Sequence, residues 1–193
     1  MSYYRIYIRN LLVARRTGED AYIGVNAGES LHPGLETEIK WSVWSTGNYP
    51  SLILSGNATV ANYHFTDFVD NGVDYSNKNL PGTAKNIWLL SSSFSPAKNY
   101  QINVWYRHTG EMAVNDANTS FTKPYGITNG EVKYSGKIKK LLMEIKGGVQ
   151  NIFDLNYAAM LAVNAPSFGG NLPRYYYPGN PRNFYFSVLL RLE

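Results

Sequence analysis

The sequence predicts an all-β protein, an antiparallel transmembrane β-barrel segment of about eight strands that occupies residues 1–193. Side chains alternate between apolar and polar along segments of strand length, which is the period-two signature of a β-strand. The connections between these segments are alternately long and short, as in barrels that cross an outer membrane. Most segments also reach the roughly 9–11 residues that a tilted membrane strand needs, whereas globular strands most often have about 5–6.

The alternation locates each strand in order along the chain. In the first strand Tyr4, Ile6 and Ile8 share one face, and in the last strand Phe184 and Val188 belong to an apolar stripe. The same pattern recurs in the strands between them, although the facing of the fourth is ambiguous. The eight predicted strands lie near residues 3–13, 33–44, 51–65, 84–94, 99–111, 124–135, 140–151 and 182–192.

The connections between these strands carry independent information. Long connections are predicted near residues 15–31, 66–83, 112–123 and 153–181, and short ones separate the other strand pairs. Membrane barrels have short turns at one end and longer loops at the other. A soluble β-sandwich, acting as a ligand- or carbohydrate-binding module, also alternates along its strands and is the alternative interpretation. A sandwich does not require long loops at one end of its strands and short turns at the other, so the pattern of connections favours the barrel.

Composition narrows the class of protein. Charged residues make up 17% of the chain and aromatic residues 15%, including sixteen tyrosines, whereas soluble domains carry about 25% charged residues. The net charge of +4 is spread over scattered lysines and arginines, so nucleic acid is not a predicted partner. The chain contains no cysteine, which excludes disulfides and thiolate metal sites. No secretory signal opens the sequence, so we expect a piece of something longer or a chain that is not exported.

Three groups of short motifs carry a family resemblance. Residues 149–157 contain an "NxFDxxY" stretch, and residues 174–185 contain a "PGxxRxFY" stretch before the last strand. Upstream, residues 10–13, 26–30 and 34–36 form an "NLL…NAG…GLE" series. In this order and spacing the motifs resemble the C-terminal barrel portion of the TonB-dependent outer-membrane receptors, most closely the iron–siderophore type. Turn chemistry at strand ends also accounts for Asn151, Asp154 and the Pro-Gly-Asn-Pro run on its own.

The resemblance implies an architecture and a function. Such receptors are barrels of about twenty-two strands, closed by an N-terminal plug domain, and this chain would be the last part of one, with plug and signal peptide absent. The implied function is import of an iron–siderophore or similar chelate across the bacterial outer membrane, energised through TonB. The implied partners are outer-membrane lipid, TonB and the chelate. The family usually ends in an aromatic residue, whereas this chain ends Leu192-Glu193.

Chemical motifs are otherwise scarce. The histidines His32, His64 and His108 lack metal-ligand spacing, so no metal site and no cofactor are predicted. Glu36 and Glu38 share a face beside a lysine, and we interpret them as solvated charges lining the barrel lumen. No nucleophile motif or nucleotide-binding loop occurs, and we predict that the protein is not an enzyme.

Cargo recognition is expected in the four long connections and in the lumen. The sequence does not identify the individual residues that contact the chelate. Arg107 and Lys146 are candidate lumen charges, because their neighbours in alternation are apolar. An anionic chelate would favour such positions, but a generic polar lining is the preferred interpretation of both residues.

Overall fold

The computed structural model describes residues 1–10, 12–16, 22–26, 28–44, 49–70, 72–167, 170 and 172–192. Within these residues, no helix has the length and apolar character needed to cross a membrane. The described strands, in chain order, are β1 Ser2–Arg9, β2 Leu12–Arg16, β3 Tyr22–Asn26, β4 Glu29–Trp44, β5 Ser51–Ala61, β6 His64–Asp67, β7 Val69–Asp70, β8 Val73–Asp74, β9 Asn86–Ala97, β10 Tyr100–Thr109, β11 Tyr125–Ile138, β12 Leu141–Gln150, β13 Ala158–Leu161, β14 Tyr176–Pro178 and β15 Asn183–Leu192.

One sheet of nine strands contains eight of them in the order β1-β4-β5-β9-β10-β11-β12-β15, and β6 pairs with β4 off this path. Every neighbouring pair in this order is antiparallel. The order is also the sequence order of the eight predicted strands, so the predicted fold class and antiparallel pairing are confirmed. The described strands follow an open path and are not divided between two sheets packed face to face, which the β-sandwich alternative would require.

The structure corrects the ends of two predicted strands. The first was predicted to reach residue 13, but β1 ends at Arg9 because Asn10 adopts a left-handed φ of 56°. The chain then forms the separate β2–β3 hairpin within the predicted long connection, of which residues 17–21 and 27 lie outside the described part. The third was predicted to reach residue 65, but β5 ends at Ala61, and β6 then turns back to pair with β4.

The register assigns side chains to two faces of the sheet. Directly paired residues share a face and successive residues alternate, so successive rows across the sheet lie on opposite faces. One row, on what we call the apolar face, contains Trp41, Leu54, Ser92, Val104, Gly130, Val149 and Phe184. The next row, on what we call the polar face, contains Ser42, Ile53, Ser93, Asn103, Glu131, Gly148 and Tyr185.

Aromatic residues gather on the apolar face near the short turns. A β-bulge between Ser42 and Trp44 shifts the register, so that Trp44 pairs with Leu52 on the apolar face, as bulges commonly re-aim a side chain. The Trp44 ring meets the Phe94 ring edge-on at 6.4 Å between centroids. Tyr100 and Tyr134 lie 5.1 Å apart nearby. Such aromatic girdles border the apolar band of membrane barrels.

The largest fully buried hydrophobic side chains lie at the end of the sheet opposite the short turns, in the connections and in β6. We call the described residues of 62–85, 110–124 and 158–167 the loop cap. Phe65 and Phe68 are buried there with ring centroids 4.6 Å apart, and Tyr75 and Leu80 pack against them. Val114 is fully buried. The long connections therefore fold as a structured cap on one end of the sheet.

Candidate functional site

Polar side chains on the polar face are joined across neighbouring strands. Ser55 and Ser91 share a hydrogen bond of 2.7 Å between their hydroxyls, and the Gln101 side-chain Nε2 donates to the Ser93 hydroxyl at 2.7 Å. The Tyr185 hydroxyl donates to Glu131 at 2.9 Å. These bonds satisfy polar groups without covering them, which suits a wall that faces water.

A pocket of about 500 Å³ lies on this face at the end nearest the loop cap. We call it the polar-face pocket. Its floor is the sheet, where Leu89, Arg107 and Ile127 occupy one register row and Trp105 and Asn129 the row two residues nearer the short turns. The connection between β12 and β15 supplies its wall, which includes Asn151, Tyr157 and Asn180. The described lining residues are Leu89, Trp105, Arg107, Tyr125, Ile127, Asn129, Gln150, Asn151, Tyr157, Ala159, Asn180 and Asn183.

The lining combines three kinds of group. Arg107 is the single charged residue among the described lining residues, and it makes no ion pair or side-chain hydrogen bond within the described chain. Tyr125 and Tyr157 bring their rings to 5.2 Å between centroids, and Trp105 adds an indole. Five carboxamide residues supply hydrogen-bond donors and acceptors. The pocket can therefore hold an anionic group on the guanidinium and a planar group against the rings.

Asn151 lines the pocket where β12 ends and bonds to the connection that follows. It is only 2% exposed and has a left-handed φ of 50°, a conformation that asparagine tolerates better than most residues. Its backbone N–H donates to Asn129 Oδ1 at 3.0 Å. Its side-chain Oδ1 accepts from the Leu155 amide at 2.9 Å, and its Nδ2 donates to the carbonyls of Leu155 at 2.9 Å and Asn180 at 3.1 Å.

The two C-terminal motifs meet at this point. The Arg182 amide donates to Asp154 Oδ1 at 2.7 Å, and the Gly179 amide donates to the Tyr157 carbonyl at 2.8 Å. A Cβ on Gly179 would collide with the Tyr157 ring, so glycine allows that ring to lie against the backbone. We call Asn151, Asp154, Asn180 and Arg182 the brace. Their turn chemistry, expected from the sequence, joins the end of β12 to the start of β15.

Asparagine side chains tie the segments of the loop cap together. Asn118 accepts from the Asn79 amide at 2.7 Å and donates to the Asn79 carbonyl at 3.0 Å. Asn164 donates to the Asp116 carboxylate at 2.7 Å and accepts from the Asp116 amide at 3.0 Å. Burial raises the pKa of the Asp116 carboxyl, and the hydrogen bond from Asn164 opposes that rise.

The charged residues predicted to line the lumen lie at different positions along the strands of the polar face. Arg107 lines the polar-face pocket. Lys146 lies outside it and forms an ion pair of 2.8 Å with Glu144. Glu36 and Glu38 are exposed on the same face of β4, consistent with solvated charges. Of the long connections expected to contact cargo, 153–181 contributes Tyr157, Ala159 and Asn180 to the described lining, whereas 66–83 and 112–123 contribute none of the described lining residues.

The histidines have separate neighbours. His32 stacks on Tyr63 with 4.7 Å between centroids and bonds to Ser30 at 2.9 Å. His64 lies opposite Leu31, beside His32. His108 packs against Trp88 with 4.4 Å between centroids. Within the described residues, no group of three or more His, Cys, Asp or Glu could hold a metal ion.

Several lining residues were not singled out from the sequence. Trp105 could have been found, because it shares the face of Arg107 by simple alternation. Tyr125 and Tyr157 belong to segments far apart in sequence, and only the folding of the 153–181 connection brings them together. Glu193 lies outside the described residues, as do Leu11 and Ala27 of the upstream motifs.

Comparison with known proteins gives a consistent result. The family model described as "TonB dependent receptor-like, beta-barrel" matches residues 1–152. Among solved structures, the chain is similar to BauA, the ferric preacinetobactin receptor from Acinetobacter baumannii, with a TM-score of 0.69 and 15% identity over 96% of this chain. It is also similar to the siderophore receptor PiuA from Acinetobacter baumannii, with a TM-score of 0.66 and 16% identity over 96% of this chain.

The lengths compared are unequal. The chain covers 26% of the BauA chain and 24% of the PiuA chain, so it spans about a quarter of each. At these identities the likeness establishes the fold, which is that of part of a receptor barrel.

Proposed function

Because the chain belongs to the TonB-dependent receptor β-barrel family, we propose that it forms one wall of an outer-membrane receptor that binds and imports an iron–siderophore or similar chelate. Energy for import is supplied through TonB, and outer-membrane lipid is the second partner. The protein binds and moves its cargo without chemical conversion, so it is not an enzyme.

The two faces of the sheet support a position in the membrane. Phe184, Phe186 and Leu192 on the apolar face are 75%, 72% and 80% exposed. No second sheet covers them among the described residues, and a band of this size on a soluble surface would invite aggregation. Facing acyl chains, the same residues are in a favourable environment. The polar face then lines the lumen.

The polar-face pocket is the observation that carries the cargo assignment. It lies on the lumen side, below the loop cap, where a chelate arriving from outside would first meet the barrel. Arg107 suits the negative charge that iron(III) chelates with oxygen ligands commonly bear. Tyr125, Tyr157 and Trp105 suit the planar rings of aryl-oxygen chelates.

Uptake of radioactive iron tests this proposal. Cells lacking the receptor would be complemented with the full-length protein and offered iron(III) as tris-catecholate, tris-hydroxamate and citrate complexes. We expect uptake of at least one chelate, and loss of that uptake when TonB is deleted. Arg107→Gln should weaken binding of an anionic chelate by about tenfold or more, because a charge-assisted hydrogen bond contributes about 1.5–3 kcal/mol.

Lys133→Gln is the matched control. Lys133 lies on the polar face of β11 opposite Lys146 and outside the lining of the pocket, so its loss should leave affinity unchanged. Equal uptake of every chelate with and without the protein would contradict the proposed function. An equal loss of affinity in both variants would argue against the pocket as the cargo site and for a general effect of lumen charge.

A further inference from the structure

Asn151 stands out among the residues lining the polar-face pocket because it is both buried and bonded on every polar atom of its side chain. The side chain bonds to Leu155 and Asn180, which both belong to the connection between β12 and β15, and the backbone N–H donates to Asn129 Oδ1 on β11. Asn129 and Asn180 themselves line the pocket. Asn151 therefore links the floor of the pocket to its wall, bonding to the floor through its backbone and to the wall through its side chain.

The chemistry of these bonds requires a carboxamide. The Nδ2 group donates two hydrogen bonds, to the carbonyls of Leu155 and Asn180, while Oδ1 accepts one from the Leu155 amide. A carboxylate of the same shape would accept only, and one of its oxygens would face two carbonyl oxygens. Since the site is buried, the unmet bonds and the repulsion would not be relieved by water.

The wall held by Asn151 carries an aromatic surface of the pocket. The Tyr157 ring lies next to the Tyr125 ring, and both residues line the pocket. The Gly179 backbone lies directly against the Tyr157 ring. Gly179 is next to Asn180, whose carbonyl Asn151 holds. The bond between Asn151 and Asn180 thus holds the backbone next to the residue against which the Tyr157 ring lies.

We infer that Asn151 is a positioning residue that sets the width of the polar-face pocket, and through it the selectivity of the receptor among chelates of different size. The inference rests on the proposed function, since it assigns the selectivity of the same site. A rigid wall admits one size of planar, anionic chelate well and a larger one poorly. A loosened wall binds the preferred chelate more weakly and discriminates less between the two.

The test uses Asn151→Asp in the full-length protein, reconstituted in lipid nanodiscs. Two probes differ in size but share their chemistry: iron(III) bound by single catecholate units, and iron(III) bound by a linear tris-catechol chelate. We expect Kd for the better-bound probe to rise by about tenfold and the ratio of the two Kd values to fall toward one. The number of binding sites per folded receptor should not change.

Hydrogen exchange provides a readout that does not depend on cargo. The backbone N–H of Gly179 donates to the Tyr157 carbonyl, and that of Arg182 donates to Asp154. Peptides covering residues 176–183 should therefore exchange faster in Asn151→Asp. Peptides from β10 should be unaffected. Asn77→Asp is the matched control, because Asn77 also has a left-handed φ, of 64°, but is exposed in the loop cap.

Gly179→Ala tests the same wall without touching Asn151. Its methyl group would displace the Tyr157 ring, and the selectivity between the two probes should again fall. This variant keeps the inference open to test if Asn151→Asp does not fold.

The outcomes separate the inference from the proposed function. Faster exchange at 176–183 with an unchanged ratio of Kd values would overturn the inference and leave the proposed function standing. A loss of binding sites with an unchanged Kd would also overturn it, since Asn151 would then serve folding alone. If the unaltered protein binds no chelate of any kind, the proposed function fails and the inference fails with it.

Discussion

The loop cap and the apolar face of the sheet are both rich in large hydrophobic side chains, yet they bury them in different ways. In the loop cap, Phe65, Phe68 and Val114 are packed against other protein atoms and are almost inaccessible. On the apolar face, Val188 is 51% exposed, and its row neighbour Ile145 has no protein layer above it among the described residues.

The difference is the one expected if the same residue types serve two solvents in one chain, protein in the loop cap and lipid on the apolar face. The loop cap behaves as an ordinary close-packed interior, where each methylene has a fixed neighbour. Under the proposed function the apolar face meets acyl chains, which are apolar but have no fixed shape. The two regions should therefore respond in opposite ways to changes in side-chain volume and in similar ways to added charge.

The largest effect is expected from removing a ring in the loop cap. Phe68→Ala leaves a cavity between Phe65 and Tyr75, and should lower the local stability of the cap by about 3–5 kcal/mol. The amide of Tyr75, which donates to the Phe68 carbonyl at 2.8 Å, should lose protection in hydrogen exchange of the full-length protein. Phe153→Ala is the control, because Phe153 is exposed. Unchanged protection in Phe68→Ala would mean that the cap is not held by this cluster.

A charge on the apolar face should have the next largest effect. Val188→Arg should cost about 2–4 kcal/mol if the residue lies near the bilayer midplane. Ser187→Arg, on the adjacent polar face opposite Lys146, should be mild. Chemical unfolding of the full-length protein in lipid vesicles measures both. Equal costs for the two substitutions would mean that the faces do not differ in solvent, and the membrane assignment would fail.

The sheet could be predicted from the sequence because its signal is local. Phe184 to Leu192 alternate within one strand, and the long and short connections give the ends of the sheet without knowledge of distant contacts. Local alternation does not say which face an alternating strand presents. In β1, Tyr4 pairs with Gly34, so Tyr4, Ile6 and Ile8 share the side of Glu36 on the polar face, although they are the more apolar set.

The site was less predictable because its contacts are not local. Alternation from Arg107 reaches Trp105, but no pattern within one segment predicts that Asn151 holds Asn180 or that Tyr125 meets Tyr157. The motifs around Asn151 and Gly179 were recognised as turn signals, and their turns do occur. That the two turns bond to each other is a property of the folded chain, since β12 and β15 are neighbours in the sheet.

Protonation of Asp116 should affect the loop cap alone. Burial raises its pKa above the ordinary value of 3.8, so the folded cap holds this proton more tightly than the unfolded chain. Stability of the cap is then greatest below 3.8 and falls as pH rises through the interval up to the raised value. Asp116→Asn should flatten this dependence. Protection of the Asn164 amide, which donates to the Val114 carbonyl at 3.0 Å, reports the change.

Asp74 gives the contrasting control within the same cap. It is exposed, and hydrogen bonds from the Ser76 hydroxyl and amide lower its pKa. Its small contribution to stability should be present at neutral pH and be lost as pH falls below its ordinary value, the opposite sign to that of Asp116. The pH dependence of hydrogen-exchange protection at the Asn164 amide should differ between Asp116→Asn and the unaltered protein. If it is the same in both, the Asp116 carboxyl does not control the stability of the cap.

The smallest effect is the most discriminating, because one substitution can be made in both regions. Val188→Leu adds a methylene to a side chain that we expect to face fluid acyl chains, so its cost should stay within about 0.5 kcal/mol. Val114→Leu adds the same methylene to a side chain with no exposed surface. In that close-packed setting the cost should be about 1–3 kcal/mol through overpacking. The first cost is read from unfolding in lipid vesicles and the second from hydrogen exchange of the cap.

Val104→Leu and Ile145→Phe extend the comparison to other strands of the apolar face. Val104 lies in the same row as Phe184, and Ile145 pairs with Val188, so both enlargements should also be tolerated in lipid. If enlarging these residues is consistently as costly as enlarging Val114, the apolar face is packed against protein. The sheet would then be one layer of a soluble structure, and its exposed hydrophobic band would contact a protein partner instead of a bilayer.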